Sequence, residues 1–352
     1  MSSFQTASPL KSIGVLAFAN VTAIIAMTCS PAAAQSVAEF YKGKQIDLYI
    51  GTPPGGGYDQ YGRVLGRHMS RHIPGNPAIV YRNMPAAGGR HAMNHVYNVA
   101  PPDGTAFGTT LRNIAFDPLF GEEATRIDAG KLSWIGSLNS EVSVCVAWHT
   151  APFRTVDDLR KAEILMGSSG PTSSDTIQAR LLNRIAGTKM RLVHGYKGSI
   201  EVHIAMERGE VQGRCGLGWD SIVSRYQHWI KDNKVAVLAK FALRKHPDIP
   251  NVTAILDLAQ KEEDRQLVDV MLAPLEMGRP YFAPPNVPAD RLQALRRAFD
   301  ATTKDPEFLA DVKKQQMELS PLTGEEVAAL VERIYKTPKA VVDIARQIAT
   351  GG

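Results

Sequence analysis

The chain has 352 residues, of which 44% are hydrophobic and 21% charged, and its 40 Lys and Arg against 35 Asp and Glu leave a formal net charge of +5. That composition excludes a disordered chain. The mild, dispersed basic excess excludes a dedicated nucleic-acid binder, which gathers its cations on one face, and suits a protein that meets small anions.

Lys11 is the only charged residue among the first 34, residues 13–27 are apolar apart from Asn20 and Thr22, and Ala32-Ala33-Ala34 precedes Gln35. A basic start, a short apolar core and a small-residue cleavage site predict a signal peptide over 1–34. The competing reading is a membrane anchor, but spanning takes about 20 predominantly apolar residues. The core is shorter than that and partly polar, and no later stretch is long and apolar enough. Ala26-Met27-Thr28-Cys29 lacks a lipid-attachment pattern. The mature protein is expected to be soluble and periplasmic. Its two cysteines, Cys145 and Cys215, lie in strand-like stretches. An oxidising compartment permits a bridge; a disulfide and two buried free thiols both remain open.

Residues 45–50 form a short strand rich in β-branched and aromatic types, followed by Gly51-Thr52-Pro53-Pro54-Gly55-Gly56-Gly57-Tyr58-Asp59. A helix pattern places Tyr61, Val64, Leu65, His68 and Met69 on one face. A strand over 78–81, a loop with Ala86-Ala87-Gly88-Gly89, a helix over 90–99 and a strand over 106–110 come next. This β-α-β-α-β order predicts a parallel, doubly wound α/β sheet. A second unit repeats the alternation: strands over 142–148, 164–166, 191–194, 211–217 and 235–239, with helices opening at Thr155, Thr176 and Ser199. A strand near 278–283 leads to three expected helices, 289–302, 306–316 and 323–347, which should pack back onto the first unit. The last opens with the capping box Thr323-x-x-Glu326.

In open parallel sheets, ligands bind beyond the carboxyl ends of the strands. The bend from Thr52 to Asp59 puts three glycines before a helix N-terminus, which offers unpaired N–H donors and a partial positive charge. Asp59 is expected to cap that helix. An anion seat and a plain structural turn remain equally open here. The dinucleotide pattern G-x-G-x-x-G fails at Gln60, and no Gly-Lys-Ser/Thr ending makes a P-loop. The loop over 167–175 adds Ser168, Ser169, Thr172, Ser173 and Ser174, whose hydroxyls suit a second polar end of a ligand.

The ordered set Tyr41-Lys42-Gly43-Lys44-Gln45-Ile46, then Pro53 to Asp59, Asn83 to Gly89, Pro102-Asp103-Gly104, Gly167-Ser168-Ser169-Gly170 and Tyr196-Lys197-Gly198 resembles the periplasmic receptors of tripartite tricarboxylate transporters, the Bug family. The resemblance implies a two-domain, clam-shell α/β binding protein of the type II periplasmic class. Domain 1 is expected over 35–139 plus 278–352 and domain 2 over 140–277. It implies a site for a small organic carboxylate built from Thr52, Pro54, Gly56, Gly57, Tyr58 and Asp59, closed by Ala87, Gly88, Gly89, Ser168, Ser169, Thr172, Ser173, Tyr196 and Trp219. Membrane permease subunits are the implied partners. The protein is expected to act as a monomer, without cofactor, metal or nucleic acid. Relatives often carry an acid after the strand at 211–217, where Gly216 stands here, which weakens the case for an amino-acid ligand. Arg214 reads as a solvated charge or a pocket residue, and Trp219 as core or pocket. Tyr58, Phe116 and Trp219 admit an aromatic acid as readily as an aliphatic di- or tricarboxylate.

Catalysis finds no motif: G-x-S-x-G and H-E-x-x-H are absent. The rivals are a periplasmic hydrolase or transferase, which needs a nucleophile–base pair, and a ligand sensor. His68/His72 and His91/His95 are spaced i, i+4, but a metal needs further ligands. Arg63, Arg67 and Arg71 read as a solvated helix face.

Overall fold

A computed structural model describes residues 36–122 and 124–351; the expected signal peptide lies outside the described residues. The chain begins with α1 (Val37–Tyr41), β1 (Gln45–Ile50), α2 (Gly57–Met69), β2 (Ala78–Asn83), α3 (Arg90–Asn98), β3 (Ala106–Thr109) and β4 (Ser133–Ser137). It continues with β5 (Ser143–Trp148), α4 (Val156–Lys161), β6 (Ile164–Gly167), α5 (Ser174–Ala186), β7 (Met190–Val193), α6 (Ser199–Glu207) and β8 (Gly213–Gly218). Then come α7 (Trp219–Arg225), α8 (Gln227–Lys231), β9 (Val235–Phe241), α9 (Ile255–Leu258) and α10 (Glu262–Glu276). It ends with β10 (Pro280–Ala283), α11 (Ala289–Thr302), α12 (Pro306–Lys314), β11 (Leu322–Thr323), α13 (Gly324–Tyr335) and α14 (Lys339–Thr350).

Two sheets result, a six-stranded one ordered β11-β4-β10-β3-β1-β2 and a five-stranded one ordered β7-β6-β8-β5-β9. The expected parallel core is present: β1 lies between β2 and β3, with Leu48 opposite Tyr81 and Phe107. Both sheets are mixed rather than wholly parallel. β10 runs antiparallel to β3 and β4, and β5 antiparallel to β8 and β9. The chain crosses between the sheets at 138–142 and 277–279. Each crossing enters its new sheet at the edge where the parallel strands end, so β5 and β10 must run against them.

Alternation explains β1. Ile46, Leu48 and Ile50 are fully buried, while Asp47 and Tyr49 stay half-exposed. Against them α2 lays Tyr61, Val64, Leu65 and Met69, the face its spacing predicts, and each buried Leu or Val contributes about 1.5–3 kcal/mol. Gly66 lets α2 lie equally close to β2, because a Cβ there would lie 2.8 Å from the Tyr81 ring.

The Arg63, Arg67 and Arg71 face is not simply solvated. Arg67 pairs with Asp311 at 3.1 Å, and Arg71 with Asp305 at 2.6 Å and with Glu307, so the face docks α12. His68 and His72 belong to the same contact, with Asp311 at 3.0 Å and Asp305 at 2.7 Å. Among the described residues no cluster of three or more metal-ligating side chains forms.

Pro338 divides the helix expected over 323–347: it has no N–H to continue α13 and disfavours helical backbone at Thr337, so α14 starts afresh. The Thr323–Glu326 capping box is formed. α11 and α12 pack on α2, and α13 on β4, but α14 packs on α10 and α5, with Arg180 donating to the Ile348 carbonyl at 3.2 Å. The tail therefore braces both sheets. Cys145 and Cys215 are joined as a disulfide between β5 and β8.

Candidate functional site

The loops after β1, β2 and β3 meet at one edge of the first sheet. Gly51 and Gly89 touch backbone to backbone: a Cβ on Gly51 would lie 2.9 Å from Thr110 Cγ2, and one on Gly89 2.6 Å from the Gly51 carbonyl oxygen. Ala87, Gly88 and Gly89 follow one another with φ of 53°, 64° and 92°. A non-glycine residue held left-handed is a strained position of the kind that collects at ligand sites. Ala87 and Gly88 are exposed, and so is Pro54.

Within the triple-glycine bend only Gly55 needs glycine for its backbone, at φ 85°. Gly56 is the N-cap of α2, in extended conformation, and Gly57 opens the helix. The first intrahelical bond runs from Gln60 N to Gly56 O, which leaves the N–H groups of Gly57, Tyr58 and Asp59 without an intrahelical acceptor. Gly57 is exposed. Asp59 is not the cap. It sits in the first turn, 2% exposed, and its carboxylate reaches back to Gly55 N at 2.8 Å, takes Asn83 Nδ2 at 2.8 Å and pairs with Arg63 at 2.9 Å. Burial alone would raise this carboxyl, but the bonds from Arg63, Asn83 and Gly55 outweigh it and hold it below its usual range. Asp59 therefore shapes the bend, both its oxygens engaged by Gly55, Arg63 and Asn83. Thr52 Oγ1 is buried with no partner among the described residues.

Two guanidinium groups back this edge. Arg279 stacks over the rings of Tyr58 and Tyr61, its carbon 4.5 and 5.0 Å from their centroids. Its Nη2 would be 3.9 Å from a Cβ on Gly57, so a cation stands beside the exposed helix start. Arg279 and Arg112 share one carboxylate, Glu141. The Tyr58 hydroxyl donates to Gly278 O and accepts from Arg112 N, both at 3.0 Å, which ties α2 to the second crossing. Burial draws the Arg112 guanidinium below its ordinary range, and Arg279 adds to this against Tyr58 and Asp220. Asp220, just after β8, is among the charges that act on Arg112.

On the second sheet, the loop after β6 carries the predicted serines. Ser168 is fully buried, Ser169 and Ser173 are half-buried, and Thr172 is exposed. The Ser168, Ser169 and Ser173 hydroxyls all donate to Asp175. They turn inward onto Asp175. Tyr196 lies beside this loop, 3.6 Å from a Cβ built on Gly167. Arg214 is no surface charge: it is 1% exposed and lies 3.7 Å from Asp175. Gly216 has φ 69°, and a Cβ there would lie 2.6 Å from Asp175 N, so no acidic side chain fits. Phe116 is core, 1% exposed.

The predicted residues thus gather into two groups, one at each sheet's edge. A pocket of about 260 Å³ lies beside the crossing, lined by Ser140, Val142, Trp219, Asp220, Arg244, Lys245, His246 and Glu318 among others. Of the predicted residues only Trp219 lines it, its Nε1 donating to Asp248 at 3.1 Å. Arg112, Arg279, Glu141 and Asp175 escape sequence reasoning. Arg112 carries one usable signal, a charge three residues after β3, at the edge where the glycine loops meet.

Two mixed α/β sheets joined by two crossings, with glycine and serine loops at the ends of their parallel strands, have the architecture of a clam-shell binding protein. A family model described as the tripartite tricarboxylate transporter family receptor, TctC, matches residues 62–345, and the chain belongs to that family. It is 26% identical to a UPF0065 protein from the tcbD-tcbE intergenic region of Pseudomonas sp. (strain P51), over 84% of this chain and 89% of that protein. A TctC solute-binding protein from Polaromonas matches with a TM-score of 0.70 at 18% identity, covering 86% of this chain and 99% of that one. MatC from Rhodopseudomonas palustris, with bound malate, matches with a TM-score of 0.51 at 18% identity, covering 85% and 99%. At these identities the structural likeness shows the fold. The family is one of solute receptors, not enzymes.

Proposed function

We propose that this chain captures a small organic carboxylate between two lobes, 35–139 plus 278–352 and 140–277, and delivers it to the permease of a tripartite tricarboxylate-type transporter. The observation that carries the reading is the exposed start of α2, where unpaired N–H groups of Gly57 and Tyr58 stand beside the Arg279 guanidinium. A helix N-terminus and an adjacent guanidinium both favour a carboxylate. Ligand contacts on both lobes would favour a closed form by differential affinity, and the permease would recognise that form. In this reading the protein works in the periplasm after removal of residues 1–34. An aliphatic acid of two or more carboxylates is favoured, since Phe116 is withdrawn into the core and a related structure holds malate. A thermal-shift screen of succinate, malate, adipate, citrate and benzoate tests this. A raised midpoint with at least one of the first four is expected, and no shift with any acid would contradict it.

A further inference from the structure

The second-sheet loop over 168–175 is organised by charges that never reach solvent. Asp175 is 2% exposed. It accepts from Ser168 Oγ at 3.1 Å, from Ser169 N and Oγ at 3.0 Å, from Thr176 N at 2.9 Å and from Ser173 Oγ. A buried carboxylate is strongly unfavourable unless hydrogen-bonded and paired. Arg214 supplies the opposite charge from β8, with Nη2 at 3.7 Å. The same guanidinium donates to Cys215 O at 3.1 Å, to Ser199 O at 3.3 Å and to His203 Nε2 at 2.8 Å. Arg214 therefore ties β8 to the first turns of both α5 and α6, the two helices that leave the second sheet's ligand edge. His203 must be neutral to accept that bond, consistent with its burial beside a cation.

This network engages the loop's own donors. Ser169 N goes to Asp175, Gly170 N to Ser168 Oγ at 3.2 Å, and Ser173 N to Gly170 O at 3.3 Å. Thr172 and Ser174 remain exposed, and the first intrahelical bond of α5, from Ile177 N to Ser173 O, leaves the Ser174 N–H without an intrahelical acceptor. We propose that Asp175 and Arg214 are positioning residues for ligand capture: they hold the loop with its serine hydroxyls turned inward, so that a ligand meets it through Thr172 and Ser174 rather than through Ser168, Ser169 or Ser173. The inference rests on the carboxylate-receptor reading of the cleft but concerns which groups of the second lobe do the work.

The test uses the mature chain carrying Asp175→Asn, Ser169→Ala, Thr172→Ala, Arg214→Lys or Arg214→Met. Amide hydrogen exchange over 168–176 is read without ligand, and affinities for succinate, malate, adipate and citrate by calorimetry. Asp175→Asn should speed exchange over 168–176 by about tenfold or more while β1–β3 keep wild-type rates. It should weaken binding about tenfold or more, Thr172→Ala should weaken it several-fold, and Ser169→Ala should change it less than about threefold. Arg214→Lys should preserve loop protection that Arg214→Met loses; this pair reads the same contact should Asp175→Asn fail to fold. Wild-type exchange in Asp175→Asn, or a Ser169→Ala loss equal to that of Asp175→Asn, would overturn the proposal. If none of the four acids binds the wild type, the carboxylate reading fails, while the exchange rates still decide whether the pair orders the loop.

Discussion

Gly57→Ala separates the two roles open to the glycine bend, structural turn and ligand seat. Gly57 is the first residue of α2, has ordinary helical backbone and is exposed, and an added Cβ would meet only Arg279 Nη2, at 3.9 Å. That is an ordinary contact. Alanine also restricts the unfolded chain more than glycine, so the ligand-free protein should gain about 0.5–1 kcal/mol. For a chain of this size the midpoint should rise by about 1–3 °C. Binding should move the other way. The methyl group would stand among the N–H donors of Gly57 and Tyr58 and hold a carboxylate away from them. A charge-assisted hydrogen bond is worth about 1.5–3 kcal/mol, so losing one should weaken binding roughly 10- to 150-fold. Thermal unfolding without ligand, paired with calorimetric titration of an acid that binds the wild type, reads both signs. Unchanged affinity at a raised midpoint would refute the bend as the seat. A lowered midpoint would refute the claim that the protein itself leaves room at residue 57.

Three further outcomes follow from the same geometry. Arg279→Met removes the cation beside Gly57 and leaves Glu141 to Arg112, so affinity for a dicarboxylate should fall about tenfold and depend less on salt; equal affinity in the variant would contradict a role for Arg279. His203, 5% exposed, is pushed down to about 4 by burial and by Arg214. An unfolded histidine titrates near 6.5, so between about pH 6.5 and 4 the unfolded chain takes up a proton that the folded one refuses. This contribution is fully present above pH 6.5 and is lost as pH falls to 4, by up to about 3 kcal/mol. His203→Gln keeps an acceptor for Arg214 and should flatten that part of the stability profile, measured by denaturant unfolding; a slope identical to wild type would contradict it. Replacing Cys145 and Cys215 together by alanine opens a loop spanning 70 residues, for which the chain-entropy model gives up to about 4 kcal/mol. The midpoint should fall by several degrees, and an unaltered midpoint would show that the bridge constrains nothing.

How much of this could be read from the sequence depends on the range of the interaction. Alternation in β1, the apolar stripe of α2, the Thr323 capping box and the glycine bends are local, and their elements appear where those patterns place them. The TctC family likewise followed from motifs a few residues long. The mixed sheets are not local, because strand direction at β5 and β10 is set by where the chain crosses. Side-chain roles were least legible. Ser168 looks like a free donor until Asp175 is seen beneath it. Arg214 looks like a surface charge until Asp175 and His203 close around it. Tyr58 finds its partner 220 residues away at Gly278. β4 and α10 leave no pattern to read: β4 is buried on both faces and shows no alternation, while α10 places Asp264 and Glu276 on its buried side and carries Pro274.

A crystal structure with whichever acid of the screen binds tests the central claim most directly. A ligand carboxylate oxygen is expected about 3 Å from the N–H groups of Gly57 and Tyr58, with Arg279 alongside. A ligand seated instead against Trp219, Arg244 and His246 beside the crossing, with the start of α2 left to solvent, would contradict it.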